Sequence, residues 1–261
     1  MVTATKIGIK CQIHTQCAPS ASTASTGQRA VTQLEDRFIK SGLDSLVDNE
    51  IVELIFSLAS PYTECKKQAK ECIKQFGSLR GLIEASPEEL EQRGITRRAI
   101  LCIRLISEIP VKVLKQRITR KPVYQSSQAV FDYLYYSMRG LKDEVFKVIH
   151  LNSRNRIIET LDLSKGTVDN IPVAPRQIVE SAIKYRAVSM IFAHNHPSGD
   201  PTPSNRDKQL TRDLVFIGSV LQIKVLDHII IGDNGHFSFA GAGLIEKYED
   251  SFLTLRIKAG T

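Results

Sequence analysis

The stretch Val188-Ser-Met-Ile-Phe-Ala-His-Asn-His-Pro-Ser-Gly-Asp-Pro-Thr-Pro-Ser-Asn-Arg-Asp207 decides how the C-terminal half of the chain folds. Val188 to Ala193 is apolar apart from Ser189 and reads as a core strand, and Lys208 to Leu221 reads as a helix. His194 and His196 stand two residues apart at the strand's end, so both imidazoles project to one side of the sheet while Asn195 projects to the other. Pro197, Pro201 and Pro203 restrict the loop that follows, and Gly199 lets it turn. Asp207 can then swing back toward the histidine pair from the start of the next helix. Two imidazoles and a carboxylate suit Zn2+, and three protein ligands leave a fourth position open for water, as a catalytic site requires and a structural staple does not. A plainer reading stands beside this one: Ser204-x-x-Asp207 is a variant capping box, with Ser204 as N-cap. The two are compatible, because a ligating carboxylate suits the first helical turn and a capping Ser204 can also reach a substrate oxyanion.

A zinc ion in such a site lowers the pKa of its bound water to roughly 7 and polarises a neighbouring carbonyl. Hydrolysis of an amide also needs a general base that takes a proton from the water and passes it to the leaving amine, which suits a carboxylate near the metal but not on it. Glu144, Glu159 and Glu180 are the candidates in this half, and the sequence pattern leaves all three open. The literal string His-Asn-His is not the signature of an HNH nuclease, whose three residues are spread over a hairpin and a helix.

Outward from this segment, helices alternate with β-rich runs from Lys121-Pro122 onward, the mark of an α/β domain. Ser126-Ser127 can cap a helix carrying Val130, Leu134 and Met138. Glu144 to Leu151 is a strand, Asn152 to Asn155 a turn, and Arg156 to Leu163 a return strand. Pro175 opens a helix with Ile178, Val179, Ala182 and Ile183 on one side. Ile223 to Ile231 is a further strand, and Gly232 to Gly235 with His236 to Ala240 completes a hairpin.

From Val31 to about Arg120 apolar residues recur at helical spacing, as in Ile51, Leu54, Ile55, Leu58 and again in Ile100, Ile103, Leu105, Ile106. Ser86-Pro-Glu-Glu-Leu90 is a helix start, and the turn Arg93-Gly-Ile-Thr96 leads into another helix. Between Arg93 and Lys121 nine basic residues (Arg93, Arg97, Arg98, Arg104, Lys112, Lys115, Arg117, Arg120, Lys121) face Glu108 alone. Such a run is either a phosphate-binding stripe for DNA or RNA or a solvated helix face leading into a linker. Residues 1–30 hold three basic and no acidic residues and too little bulky apolar side chain for a core, so they read as a disordered tail. Organellar transit peptides share that lack of acid and richness in Ser and Thr, but only Arg29 supplies arginine. The expected division is a tail over 1–30, a helical domain with a basic linker over 31–121, an α/β domain over 122–246 and an extension over 247–261.

Composition bounds the rest. At 261 residues, 42% apolar and 24% charged, with a net charge of +7, wholesale disorder is excluded and the chain suits one large domain or two modest ones. No stretch approaches the ~20 uninterrupted apolar residues of a membrane span, so a soluble protein with no membrane partner is expected. Five scattered cysteines, with no Cys-x-x-Cys and no apolar signal-peptide core, point to a reducing, cytoplasmic setting.

The pattern His-x-His, seven residues, Ser, two residues, Asp is met by His194, His196, Ser204 and Asp207. With the string HNHPSGDPTPSNRD and the block Leu226-Asp-His-Ile-Ile-Ile231, the sequence resembles the RadC (UPF0758-type) family of the JAMM (MPN-type) zinc metalloprotease superfamily, over Val31 to about Glu246. The resemblance implies His194, His196 and Asp207 as ligands of one Zn2+ per chain, Glu144 as the base and Ser204 as oxyanion stabiliser. Asp227 and His228 are open to a supporting or substrate-facing role and equally to that of a hydrogen-bonded core pair. It also implies an α/β MPN domain with a mixed, deaminase-like sheet after an N-terminal helix-hairpin-helix-like domain, a mixed α+β chain overall. Helix-hairpin-helix turns usually read Gly-apolar-Gly, with backbone amides facing a phosphate. Here the turn is Gly94-Ile95-Thr96, with a threonine at the second glycine position.

Two functions follow. The first is a zinc-dependent hydrolase acting on a peptide or isopeptide amide of a peptide or protein substrate. The second is a DNA-binding repair or recombination factor, with the helical region on DNA and a structural or nucleolytic metal site.

Overall fold

The computed structural model describes residues 26–60, 65–120, 122–123, 127–166 and 174–260. The chain divides into two compact units at Leu79/Arg80. The first holds α1 (Thr26–Ser41), α2 (Asp48–Ala59) and α3 (Lys66–Phe76). Its buried residues include Leu34, Leu46 and Leu54, which pack together, and the Arg37 guanidinium makes two bonds of 3.1 Å to the Glu50 carboxylate. Helix α1 begins five residues inside the expected tail, and residues 1–25 of that tail lie outside the described residues. The predicted face of α2 is turned by part of a turn: Leu54 and Ile55 are buried with Val52 and Phe56, while Leu58 is exposed.

The second unit contains α4 (Leu79–Glu84, from Arg80 on), α5 (Pro87–Gln92), α6 (Arg97–Arg120), α7 (Ser127–Met138), five strands and three more helices. Ser86 caps α5 as its sequence predicts, accepting the Glu89 amide at 3.2 Å while Glu89 accepts the Ser86 amide at 3.0 Å. In the turn before α6, Gly94 takes φ +76° and Ile95 is buried. Thr96 uses its hydroxyl to accept the Ala99 amide at 3.4 Å at the start of α6, so the threonine serves as a cap. Helix α6 packs on α7, with Ile118 fully buried in the same core as Val130, Leu134 and Met138. The basic helix therefore belongs to the sheet-bearing unit. Leu105 and Ile106 are exposed in the stretch between Ile100 and Ile103, buried near the helix's start, and Val111, Leu114 and Ile118, which pack on the core shared with α7. Lys121 and the expected cap Ser126 lie outside the described residues.

The strands are β1 (Glu144–Leu151), β2 (Ile157–Gly166), β3 (Ser189–Asn195), β4 (Lys224–Gly232) and β5 (Gly235–Ser238), in the order β2-β1-β3-β4-β5. The sheet is mixed: β3 and β4 are parallel and the other pairs antiparallel. Helices α8 (Pro175–Lys184), α9 (Asn205–Leu221) and α10 (Leu244–Ala259) complete the unit. Both sheet faces are covered, which is why β1 and β3 are nearly continuous apolar runs. Phe146, Val148, Phe192 and Ile230 pack with Ile178, Leu214, Val215 and Ile245 from α8, α9 and α10. Val145, Ile149, Ile191 and Ile229 pack with α7 on the other face. Helix α10 runs across the expected boundary at 246/247. No helix among the described residues is long and apolar enough to cross a membrane.

Candidate metal centre

The register of β3 builds the site. His194 pairs with Phe146 on β1 and with Ile230 on β4, and His196 follows two residues later, its amide donating to the Ile231 carbonyl at 2.9 Å. Gly199, at φ +83°, turns the loop, and its amide returns to the His196 carbonyl at 2.9 Å. Ser204 then caps α9: its hydroxyl accepts the Asp207 amide at 3.1 Å, while its own amide and hydroxyl donate to Asp207 Oδ2 at 2.8 and 2.6 Å. The capping box and the carboxylate's placement are thus one arrangement.

His194, His196 and Asp207 each bring one donor atom within 4.8 Å of the others, forming a group able to hold a metal ion among the described residues. His194 Nε2 lies 3.1 Å from His196 Nε2 and 3.3 Å from Asp207 Oδ1, and His196 Nε2 lies 3.4 Å from Asp207 Oδ2. A tetrahedral zinc site with bonds of about 2.0–2.2 Å has ligand-to-ligand edges of about 3.3–3.6 Å; the two His–Asp distances fall in that range and the His–His distance of 3.1 Å is slightly shorter.

Proton bookkeeping sharpens the fit. The Thr211 hydroxyl donates to the Asp207 carbonyl at 2.6 Å, so the contact of 2.7 Å between Thr211 Oγ1 and His228 Nδ1 requires the proton on His228. Burial and the neighbouring His194 hold His228 well below the usual imidazole range and keep it neutral. Its Nε2 then accepts from His194 Nδ1 at 2.9 Å. His196 Nδ1 donates to the Asp200 carbonyl at 2.7 Å. With both Nδ1 protons spent, the two Nε2 atoms and the Asp207 carboxylate converge on one point, where a proton on a ring or a metal cation offsets the carboxylate.

The electrostatics agree. Burial alone would raise the Asp207 carboxyl, but hydrogen bonds from His194, His196 and Ser204 hold it far below the usual range. The Asp207 carboxylate raises His196, with weaker help from the Asp200 carbonyl and the Glu144 charge.

Glu144 is the candidate base that reaches this region. The β1–β3 ladder ends at Phe146↔His194; Glu144 stands two residues before Phe146 and His196 two residues after His194, and the Glu144 charge is near enough to raise His196. Glu159 pairs with His150 near the other end of β1, and Glu180 is on the exposed surface of α8 in an ion pair with Arg176. Neither is brought to the site. His228 and Thr211 touch the candidate ligands, and the spacing of His194, His196 and Asp207 did not select them. Thr211 stands four residues after Asp207 on α9, a helical neighbour, but His228 reaches His194 only through the parallel β3–β4 register. Asp227 instead accepts from Ser238 Oγ at 2.7 Å and the Ala240 amide at 2.9 Å, fixing the end of the β5 hairpin.

Residues 124–244 match the family described as RadC-like JAB domain. A UPF0758 protein of Pseudoalteromonas translucida is 36% identical over 211 residues, 80% of this chain and 94% of that protein. A UPF0758 protein of Rhodobacter capsulatus is 33% identical over 213 residues, 81% of this chain and all of its own length, and one of Trichlorobacter lovleyi is 34% identical over 214 residues, 80% and 93%. With sheet, cradle and relatives in agreement, the chain belongs to the RadC/UPF0758 family, whose JAB (MPN-type) domain places it in the JAMM-type hydrolase superfamily.

Proposed function

We propose that this protein is a zinc-dependent hydrolase of peptide or isopeptide amide bonds, with His194, His196 and Asp207 holding one Zn2+ and Glu144 as general base. The observation that carries the reading is the convergence of the two Nε2 atoms and the Asp207 carboxylate, with Glu144 two residues before the last β1–β3 pair and its charge reaching His196. A zinc ion held there would act as a Lewis acid on the scissile carbonyl and on water. Glu144 takes the proton from the attacking water as the C–O bond forms, and delivers it to the amine nitrogen as the C–N bond breaks. Ser204, whose hydroxyl donates to Asp207 Oδ2, turns that proton to the oxyanion when the tetrahedral centre forms. Thr211 and His228 hold the tautomer of His194 throughout. The test is metal content per chain, followed by cleavage of a peptide and branched-isopeptide library by wild type and Glu144→Gln. Retained zinc with lost cleavage supports the assignment; unchanged cleavage by the variant removes Glu144 from it.

A second reading is favoured by one observation: Arg97, Arg98, Lys112, Lys115 and Arg117 are exposed on α6. In that reading the helix contacts the phosphates of DNA in a repair or recombination role, and the metal site is structural or nucleolytic. Binding of branched DNA by the full chain that weakens steeply with salt, and less steeply after Lys112→Ala/Lys115→Ala, tests it.

A further inference from the structure

Between His194 and His196 stands a residue that turns away from both. Asn195 is buried, and its amide is spent on a single segment, the approach to β1. Oδ1 accepts the Val145 amide at 2.8 Å, and Nδ2 donates to the Leu141 carbonyl at 3.2 Å and to the Asp143 carbonyl at 3.1 Å. The backbone ladder between β1 and β3 ends at Phe146↔His194, and the next pair in that register is Val145 with Asn195. At that step the Asn195 side chain takes over from the main chain, binding the amide that would otherwise lack a strand partner. On its other side β3 stays in its ladder with β4, where Asn195 pairs with Ile231, so the residue is anchored to the sheet independently of β1.

The held segment contains Glu144, between Asp143 and Val145. We propose that Asn195 is the positioning residue for Glu144: by clamping the backbone on both sides of it, Asn195 fixes the carboxylate beside the cradle formed by its own neighbours, His194 and His196. This rests on the reading of Glu144 as the base. One short strand end thereby sets ligands and base together, ligands from one side of the sheet and the base's backbone from the amide between them. The Glu144 charge felt by His196 is consistent with that closeness.

The test uses the full-length protein with 13C-labelled glutamate, loaded with cobalt(II) or with zinc. Cobalt displaces nearby carbon resonances according to distance, and the Glu144 carboxyl signal is identified by its loss in Glu144→Gln. The expected result is a displaced Glu144 signal in the wild type, a displacement at least halved in Asn195→Ala, and an intermediate value in Asn195→Asp. The aspartate keeps an acceptor for Val145 but turns a second acceptor on the Leu141 and Asp143 carbonyls. Metal content stays at one per chain in both variants, and on any amide the wild type cleaves, Asn195→Ala lowers kcat about 100-fold with KM little changed. A displacement unchanged in both variants overturns the proposal while leaving Glu144 as base. If both variants lose metal, Asn195 supports the cradle itself and the proposal also falls. A Glu144 signal that cobalt does not displace in the wild type removes Glu144 from the site, and the proposal falls with the base assignment.

Discussion

Two buried histidines of the same sheet, His150 on β1 and His194 on β3, show what separates a structural imidazole from a ligand. Each is almost wholly inaccessible. His150 Nε2 meets Ser181 Oγ at 2.9 Å, and because that hydroxyl already donates to the Ile178 carbonyl, the ring must supply the proton. Among the described residues its Nδ1 finds no hydrogen bond of good geometry, and burial pushes the ring's pKa down, opposed only in part by the Glu159 backbone. His194 has the same burial but a different second nitrogen: its Nε2 faces His196 and Asp207. Burial does not distinguish them; convergence of acceptors does.

The same substitution at both positions is the sharpest way to break this comparison. His194→Phe is expected to abolish zinc retention, with an affinity loss beyond the ~100-fold that a supporting residue commands, measured by competition with a chromophoric chelator. His228→Phe, which leaves all three ligands in place but removes the acceptor for His194 Nδ1, is expected to weaken zinc by about 10- to 100-fold in the same assay. An unchanged affinity would mean that the tautomer of His194 is set elsewhere. His150→Phe keeps the ring volume and removes an orphan nitrogen, so zinc binding stays at the wild-type value and unfolding free energy changes by less than about 1.5 kcal/mol by urea denaturation.

Acid separates the two ends as well. Asp207 holds the His196 pKa above the usual value, so zinc must displace a proton from that ring, and affinity falls as pH drops through the raised pKa, measured by the same competition between pH 8 and 6. In metal-free protein the sign on stability is opposite. A raised His196 contributes stability that is fully present below its unfolded pKa and lost as pH rises through the folded one. The depressed Asp207 contributes above its own unfolded pKa and loses that contribution only in stronger acid. Thermal melts with and without chelator should therefore diverge as pH rises past neutrality. Parallel curves would show that His196 is not the ring that zinc deprotonates.

The parts of the site legible in the sequence were those fixed by local spacing. The period of a strand puts His194 and His196 on one side, and the cap Ser204 sets Asp207 three residues into its box, so ligands and loop could be read from one segment. By residue pattern alone Glu144 was one of three carboxylates, and only the family resemblance singled it out; the register carries Glu159 to the far end of β1, beside His150, while the β1–β3 ladder ends two residues after Glu144. The contact from His228 to His194 depends on which strand neighbours β3 and in which direction it runs, information that no local pattern carries. In the helical region the elements were legible but not all of their faces. Leu105 and Ile106 fit the apolar period of α6 yet are exposed, because amphipathic spacing records which residues could be covered and not which length of helix meets a neighbour. The change of pattern at Lys121-Pro122 likewise marks where strands begin, whereas the compact units part at Leu79/Arg80, since the end of α6 is buried with α7.

Gly232, at the end of β4, lies so close to the loop that a Cβ there would come within 2.4 Å of the Gly199 carbonyl oxygen, while the Asp233 amide donates to that same oxygen at 2.9 Å. The bend between His196 and Ser204 is thus moulded by a turn far downstream in the chain. A synthetic peptide spanning residues 194–207 would carry every ligand and still have nothing to hold its shape, so grafting this centre into another protein means transplanting the β4–β5 corner along with it.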